Sequence, residues 1–176
     1  MSFEIYLQEA RLVDAPVLQK LGAKTFYDTY GPYNTEEDME QYIAQKFSID
    51  YLRTELSKAT SQNFIAWDKD KAIGYLKINY GTAQTDLRLV DALEIERLFV
   101  IPAYQGKQVG KLLLQKAFSL AQDLQKNNIW LNVWEKNLRA IRFYEKNGFQ
   151  TFNKHLFKLG TVVQTDLMMK RSLEVS

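Results

Sequence analysis

The stretch from Ile129 to Phe149, IWLNVWEKNLRAIRFYEKNGF, decides the fold. Ile129–Trp134 is a short apolar run of the kind that forms a buried strand. Asn137 then stands where a helix N-cap belongs. From there to Lys146 the pattern is that of an amphipathic helix, with Ile141 and Tyr144 on one face. Gly148 follows where a C′ glycine closes a helix. Phe149 opens an apolar-polar run reaching Lys158, and Val162–Lys170 completes a closing antiparallel pair.

Upstream, residues 108–126 predict a longer helix, because Val109, Leu112, Leu113, Ala117, Leu120, Ala121 and Leu124 recur at three and four. Glu94–Ile101 reads as a strand. Asn63–Trp67 and Ile73–Asn79 read as a hairpin around Asp68-Lys69-Asp70-Lys71. Residues 3–8 are a short strand. Asp14 is expected to cap a helix that carries Pro16 in its first turn and stops at Gly31-Pro32. Thr35 opens a second helix, with Glu36 and Glu37 favourable to its dipole. Ser48 caps a third, through Leu56. The order is that of a mixed α/β (α+β) sheet with a central β-α-β-α-β run. No linker or repeat marks a second domain, so residues 1–176 are expected to form one.

Composition narrows the chemistry. The chain has no cysteine and one histidine, His155, which excludes disulfides, a cysteine nucleophile and thiolate or multi-histidine metal sites; no metal is expected. A net charge of +2 argues against nucleic acid as the main partner. No signal-peptide pattern and no long apolar window is present, so no membrane association and a cytoplasmic location are expected. His155 reads as a surface or satisfied residue, and Trp130 and Trp134 as core.

Between the strand and the long helix lies Gln105-Gly106-Lys107-Gln108-Val109-Gly110-Lys111. A strand, a tight basic loop and a helix N-terminus offer backbone N–H groups and a positive dipole end to an anion. The spacing is neither that of a Walker A loop nor G-x-G-x-x-G.

The order from Gln105 to Gly110 resembles the Q/R-x-x-G-x-G/A motif of the GNAT superfamily of N-acetyltransferases, with Gln108 where that family usually has glycine. The 129–149 stretch resembles that superfamily's other signature. The resemblance implies a GNAT fold, with a seven-stranded sheet whose central strands splay around coenzyme A, and acetyl-CoA as cosubstrate. It implies that Leu98, Phe99 and Val100, Gln105 to Lys111 including Val109, Asn137, Tyr144 and Lys146 contact that cosubstrate. It also implies that Tyr144 is the general acid. A phenol near pKa 10 can protonate a departing thiolate whose conjugate acid lies near 8.5 at small cost.

An amine acceptor must lose a proton first, which costs roughly 4–5 kcal/mol at neutral pH for a pKa near 10.4. Alternation puts Glu94 and Glu96 on one strand face, and the resemblance implies that this strand lines the acceptor site, which makes Glu96 the candidate base and Glu94 its substitute. The resemblance implies that the helices after the first strand form one wall of the acceptor site, where the acidic, tyrosine-rich segment 25–45 supplies Tyr27, Asp28 and Tyr30 as candidate contacts, together with Glu94. LEIERLFV, LNVWEKN and the run from Gln164 to Leu167 make nearly the whole chain similar to PaiA-type polyamine N-acetyltransferases. That implies spermidine or spermine as the small-molecule partner. Two alternatives stand beside it: a regulator that binds acyl-CoA with little catalysis, and an enzyme acting on a protein N-terminus, an amino acid or an aminoglycoside. Homodimerisation is left open.

Overall fold

The computed structural model describes residues 4–173, so Phe3 of the expected first strand lies outside the described residues. The strands are β1 (Ile5–Glu9), β2 (Ser61–Asp68), β3 (Lys71–Asn79), β4 (Ala92–Val100), β5 (Asn128–Trp134), β6 (Gln150–Leu159) and β7 (Val162–Ser172). The helices are α1 (Ala15–Tyr30), α2 (Glu36–Lys46), α3 (Ile49–Leu56), α4 (Val109–Asp123) and α5 (Leu138–Lys146). One seven-stranded sheet runs β1-β2-β3-β4-β5-β7-β6. Its neighbours are antiparallel except β4 and β5, which are parallel because α4 carries the chain back between them.

Capping fixes most helix starts where expected. Thr35 Oγ1 accepts from Asp38 N, Ser48 Oγ from Tyr51 N and Asn137 Oδ1 from Ala140 N, each at 3.2 Å. Asp14 departs from expectation. It precedes α1, but its carboxylate turns back to accept from Arg11 N at 2.7 Å, closing a short 3-10 turn over Leu12–Asp14 instead. Gly148 follows α5 with φ of +86°, the left-handed geometry that a side chain resists. On α4, Leu114 rather than Leu112 is fully buried. The β2–β3 turn is tighter than read, with only Lys69 and Asp70 outside the strands.

The largest core lies between α4 and one sheet face, where Ile78, Leu93, Ile95, Ile129 and Leu131 meet Leu113, Leu114 and Ala117. The other face carries Tyr75, Lys77 and Asn79 of β3, Glu94 of β4 and Trp130 of β5, by strand alternation. Helices α1 and α3 pack against that side.

Two irregularities shape the centre. Lys77 pairs with Arg97 but Ile78 pairs with Ile95, so Glu96 is an extra residue in β4, a β-bulge. The β4–β5 ladder ends one residue earlier, at Ile95 and Leu131. Both strands continue, β4 to Val100 and β5 to Trp134, without pairing to each other. A bulge adds local twist and turns a strand away from its neighbour, and here the two strands part into a cleft.

Candidate functional site

The cleft has a volume of about 770 Å³. Leu98, Phe99 and Val100 of β4 form one wall, and Asn137, Tyr144 and Lys146 around α5 the other. Gln105, Gly106, Gln108, Gly110 and Lys111 close one end. These are eleven of the thirteen residues expected to meet the cosubstrate. Val109 is buried in the core, so it offers the cleft only its backbone at the helix start. Lys107 lies with its ammonium 5.3 Å from the Tyr104 ring centre.

The loop is preformed. Gly106 has φ of +75° and Gln108, the residue before α4, has φ of +67° and ψ of 3°. Gln108 therefore takes the left-handed conformation that glycine would take without strain, at a cost of about 1–2 kcal/mol. A Cβ added at Gly106 would meet only an Arg139 guanidinium nitrogen at 4.0 Å, so space remains there for a ligand to approach the backbone. Tyr104 anchors the loop by donating to Asp68 Oδ2 at 2.7 Å, and Gln105 Nε2 donates to Val100 O at 3.0 Å.

Sequence reading passed over Arg139. Its Nη1 donates to Gln105 Oε1 at 2.6 Å, joining α5 to the loop and adding a positive charge to the cleft. The signal was present in α5: Arg139, Ala140, Phe143, Tyr144 and Asn147 form a helical stripe, and all line the cleft.

Tyr144 is buried, set edge-on to Phe143 and Phe149 at 5.3 and 5.5 Å, and also borders the cleft. Burial pushes its phenol above the ordinary value, so it remains a proton donor throughout the neutral range. Asn137 serves both readings, capping α5 and bordering the cleft.

Glu94 and Glu96 share the opposite sheet face, as alternation required, and both accept from Asn79 Nδ2, at 3.4 and 2.7 Å. Their electrostatics diverge. Glu94 is buried and takes hydrogen bonds from Thr85 N and Oγ1; burial outweighs these and raises its carboxyl to about 7. Burial also disfavours charge on Glu96, but Lys77 and Arg97 prevail and keep its carboxyl below the ordinary range. Lys77 Nζ stands 2.6 Å from Glu55 and 2.7 Å from Glu96.

The candidate acceptor contacts lie in different surroundings. Tyr27 is exposed, and Asp28 pairs with Lys24 at 3.0 Å on the edge of the cosubstrate cleft. Tyr30 packs on Phe26 and Trp134, with ring centres 4.6 and 5.5 Å away. Trp130 and Trp134 are buried, and Trp130 Nε1 donates to Gln84 Oε1 at 2.8 Å. His155 contacts Asp86 at 3.2 Å with its side chain about one-third exposed. Among the described residues no helix is long and apolar enough to cross a membrane.

Comparison with known proteins agrees with this geometry. An N-acetyltransferase of Lactobacillus delbrueckii subsp. lactis, from the pepI 3′ region, is 32% identical over 160 residues, covering 91% of this chain and 92% of that one. A spermidine N(1)-acetyltransferase of Thermoplasma acidophilum is 27% identical over 154 residues, covering 85% and 89%. The crystal structure of the PaiA N-acetyltransferase from Thermoplasma acidophilum, in complex with coenzyme A, superposes with a TM-score of 0.80 at 23% identity, covering 98% of this chain and all of that one. The model of the acetyltransferase (GNAT) family matches residues 23–149, and with the parted strands and the loop before α4 in place, the chain belongs to that family.

Proposed function

We propose that this chain, acting as one domain in the cytoplasm, transfers the acetyl group of acetyl-CoA to a primary amine of a small polycation, a polyamine such as spermidine or spermine. One observation carries the reading: where β4 and β5 cease to pair, the cleft is closed at one end by the loop before α4 and walled by Tyr144, and Glu94 and Glu96 lie together on the strand that leads into it. The similarity to a protein named as a spermidine acetyltransferase supports the acceptor class.

Acetyl-CoA supplies the acetyl group as a thioester. The backbone N–H groups from Gly106 to Gly110 and the start of α4 hold its diphosphate, with Lys111 and Arg139 adding charge. Backbone groups of Leu98 to Val100, which β5 leaves unpaired, bind the pantetheine amides. The acceptor ammonium first gives one proton to water; the neutral amine attacks the carbonyl carbon, and the proton that nitrogen then sheds passes to a carboxylate of the Glu94–Glu96 pair, directly or through water. Glu94 at about 7 has the basicity suited to that task. Glu96, kept anionic, holds the incoming ammonium in place. The C–S bond breaks as Tyr144 O–H protonates the sulfur.

The left-handed backbone at Gln108 gives the loop the shape glycine would give it, which suits acyl-CoA in a catalyst and in a non-catalytic binder alike; thiol release from acetyl-CoA separates the two. Tyr144→Phe tests the acid. Thiol release from acetyl-CoA across a panel of amines should fall about 10²-fold or more at every pH from about 6 to 9. Full turnover by that variant would exclude the role. Faster turnover of an amino acid, a peptide N-terminus or an aminoglycoside than of spermidine would move the acceptor class.

A further inference from the structure

The sheet face behind the cleft holds a second polar cluster, three strands across. In the ladder, Asp166 of β7 lies opposite Trp134 of β5 and opposite His155 of β6. Asn132, two residues before Trp134, shares that face and is diagonal to Asp166. Asp86, from the connection between β3 and β4, spans the group: Asn132 Nδ2 donates to its Oδ2 at 2.6 Å, and His155 Nε2 stands 3.2 Å from its Oδ1.

Hydrogen-bond accounting shows what the cluster lacks. Asp166 is 9% exposed, yet its Oδ1 is buried with no donor. The Oδ1 of Asn132 is buried and unpartnered as well. A buried polar group without a partner costs about 1–3 kcal/mol, and a charged one more. Both orphans are acceptors, so the missing group is a donor with at least two N–H or O–H bonds. Its charge follows from the surroundings. Burial disfavours charge on Asp166, His155 favours it, and the like charges of Asp86 and Glu135 disfavour it further, leaving the carboxyl raised to about 6. A cation would relieve both the burial and the repulsion. Among the described residues no group of three acidic, histidine or cysteine side chains could hold a metal ion, and an organic ammonium, with up to three N–H donors, matches the two orphaned acceptors.

The flanks suit one. Trp134 is paired with Asp166 and is met edge-on by Tyr33 at 4.7 Å and at a tilt by Tyr30 at 5.5 Å, an aromatic wall of the kind that attracts ammonium groups. The side chains of Asp86 and His155 are about one-third exposed, which opens a route from solvent. Tyr30 packs on Trp134 from the end of α1, the helix whose Thr25, Asp28 and Thr29 border the cleft, so one helix touches both places.

We infer that Asp166, Asn132 and Asp86, beside Trp134, form a subsite for the ammonium group of the acceptor that is not acetylated. The inference rests on the amine-acceptor reading above and adds the residues that select a polyamine over a monoamine.

The test compares spermidine with n-butylamine as acceptors at saturating acetyl-CoA, for the full chain and for Asp166→Asn. The ratio of kcat/KM for spermidine to that for butylamine should fall at least tenfold in the variant, mainly through KM. Asp86→Asn, on a partly exposed loop residue, should shift the ratio the same way and guards against a folding defect in the first variant. An unchanged ratio, with spermidine still turned over, would overturn the subsite and leave the polyamine reading standing. Equal losses with both amines would also overturn it, since they mark a positioning role. If the native chain acetylates no polyamine, the reading fails, and binding decides the subsite alone. Saturable quenching of tryptophan fluorescence by spermidine, weakened at least tenfold in Asp166→Asn, supports it, and no binding by the native chain overturns it.

Discussion

The ammonium of Lys77 stands 2.7 Å from Glu96 Oε2, so the strand bulge at Glu96 is held by a charge from the neighbouring strand. Lys77 is itself only 5% exposed and is neutralised from the other side by Glu55 of α3. Its removal leaves two partly buried carboxylates facing each other. Lys77→Met should cost about 3–5 kcal/mol, because breaking a buried ion cluster strands the remaining charge. Adding Glu55→Leu should recover part of that. Urea denaturation midpoints of the single and double variants check both statements.

The two glutamates should separate by pH. Glu94 is raised from 4.5 to about 7, so activity that needs its carboxylate should fall below about pH 7. That acidic limb of the kcat/KM profile should vanish in Glu94→Gln, along with most activity, and persist in Glu96→Gln. The same shift predicts a stability slope. Between pH 4.5 and 7 the folded state binds the extra proton, so stability contributed at low pH is lost as pH rises through that window. Glu94→Gln should flatten that part of the stability curve.

Gln108 with φ of +67° predicts that Gln108→Gly stabilises the chain. Relief of left-handed strain returns about 1–2 kcal/mol. The greater freedom of glycine in the unfolded chain takes back about 0.4–1 kcal/mol. A net gain of about 0.5–1 kcal/mol should raise Tm by roughly 1–4 °C, measured by thermal melting, with KM for acetyl-CoA no higher than before.

Arg139 ties the loop to α5 through Gln105. Arg139→Ala should raise KM for acetyl-CoA about 3–10-fold, less than a buried charge-assisted hydrogen bond would give because the site is solvated. The proposed diphosphate role of that loop predicts little change in kcat. Added salt should shrink the difference between the two proteins. Initial rates at varied acetyl-CoA and two ionic strengths decide it.

The elements themselves were legible in the sequence because they rest on near neighbours. Thr35, Ser48 and Asn137 each cap a helix by a bond to a residue three positions on, and the α4 and α5 faces follow from the helical period. So does the strand-loop-helix order that carries Gln105 to Lys111. Asp14 shows the limit even locally, since its carboxylate had a competing donor at Arg11 three residues back.

Tertiary structure alone decided the rest. Where the β4–β5 ladder stops, which glutamate sits in the bulge, and that Lys77 lies between Glu55 and Glu96 all depend on register between strands. So does the meeting of Asp86, Asn132, His155 and Asp166 from four segments. A periodic pattern tells a residue which face it occupies, but a strand can slide against its partner without changing that pattern's character. Register is settled by the summed packing and hydrogen bonding of the whole sheet, and it is register that turns scattered carboxylates into sites with different affinities for a proton.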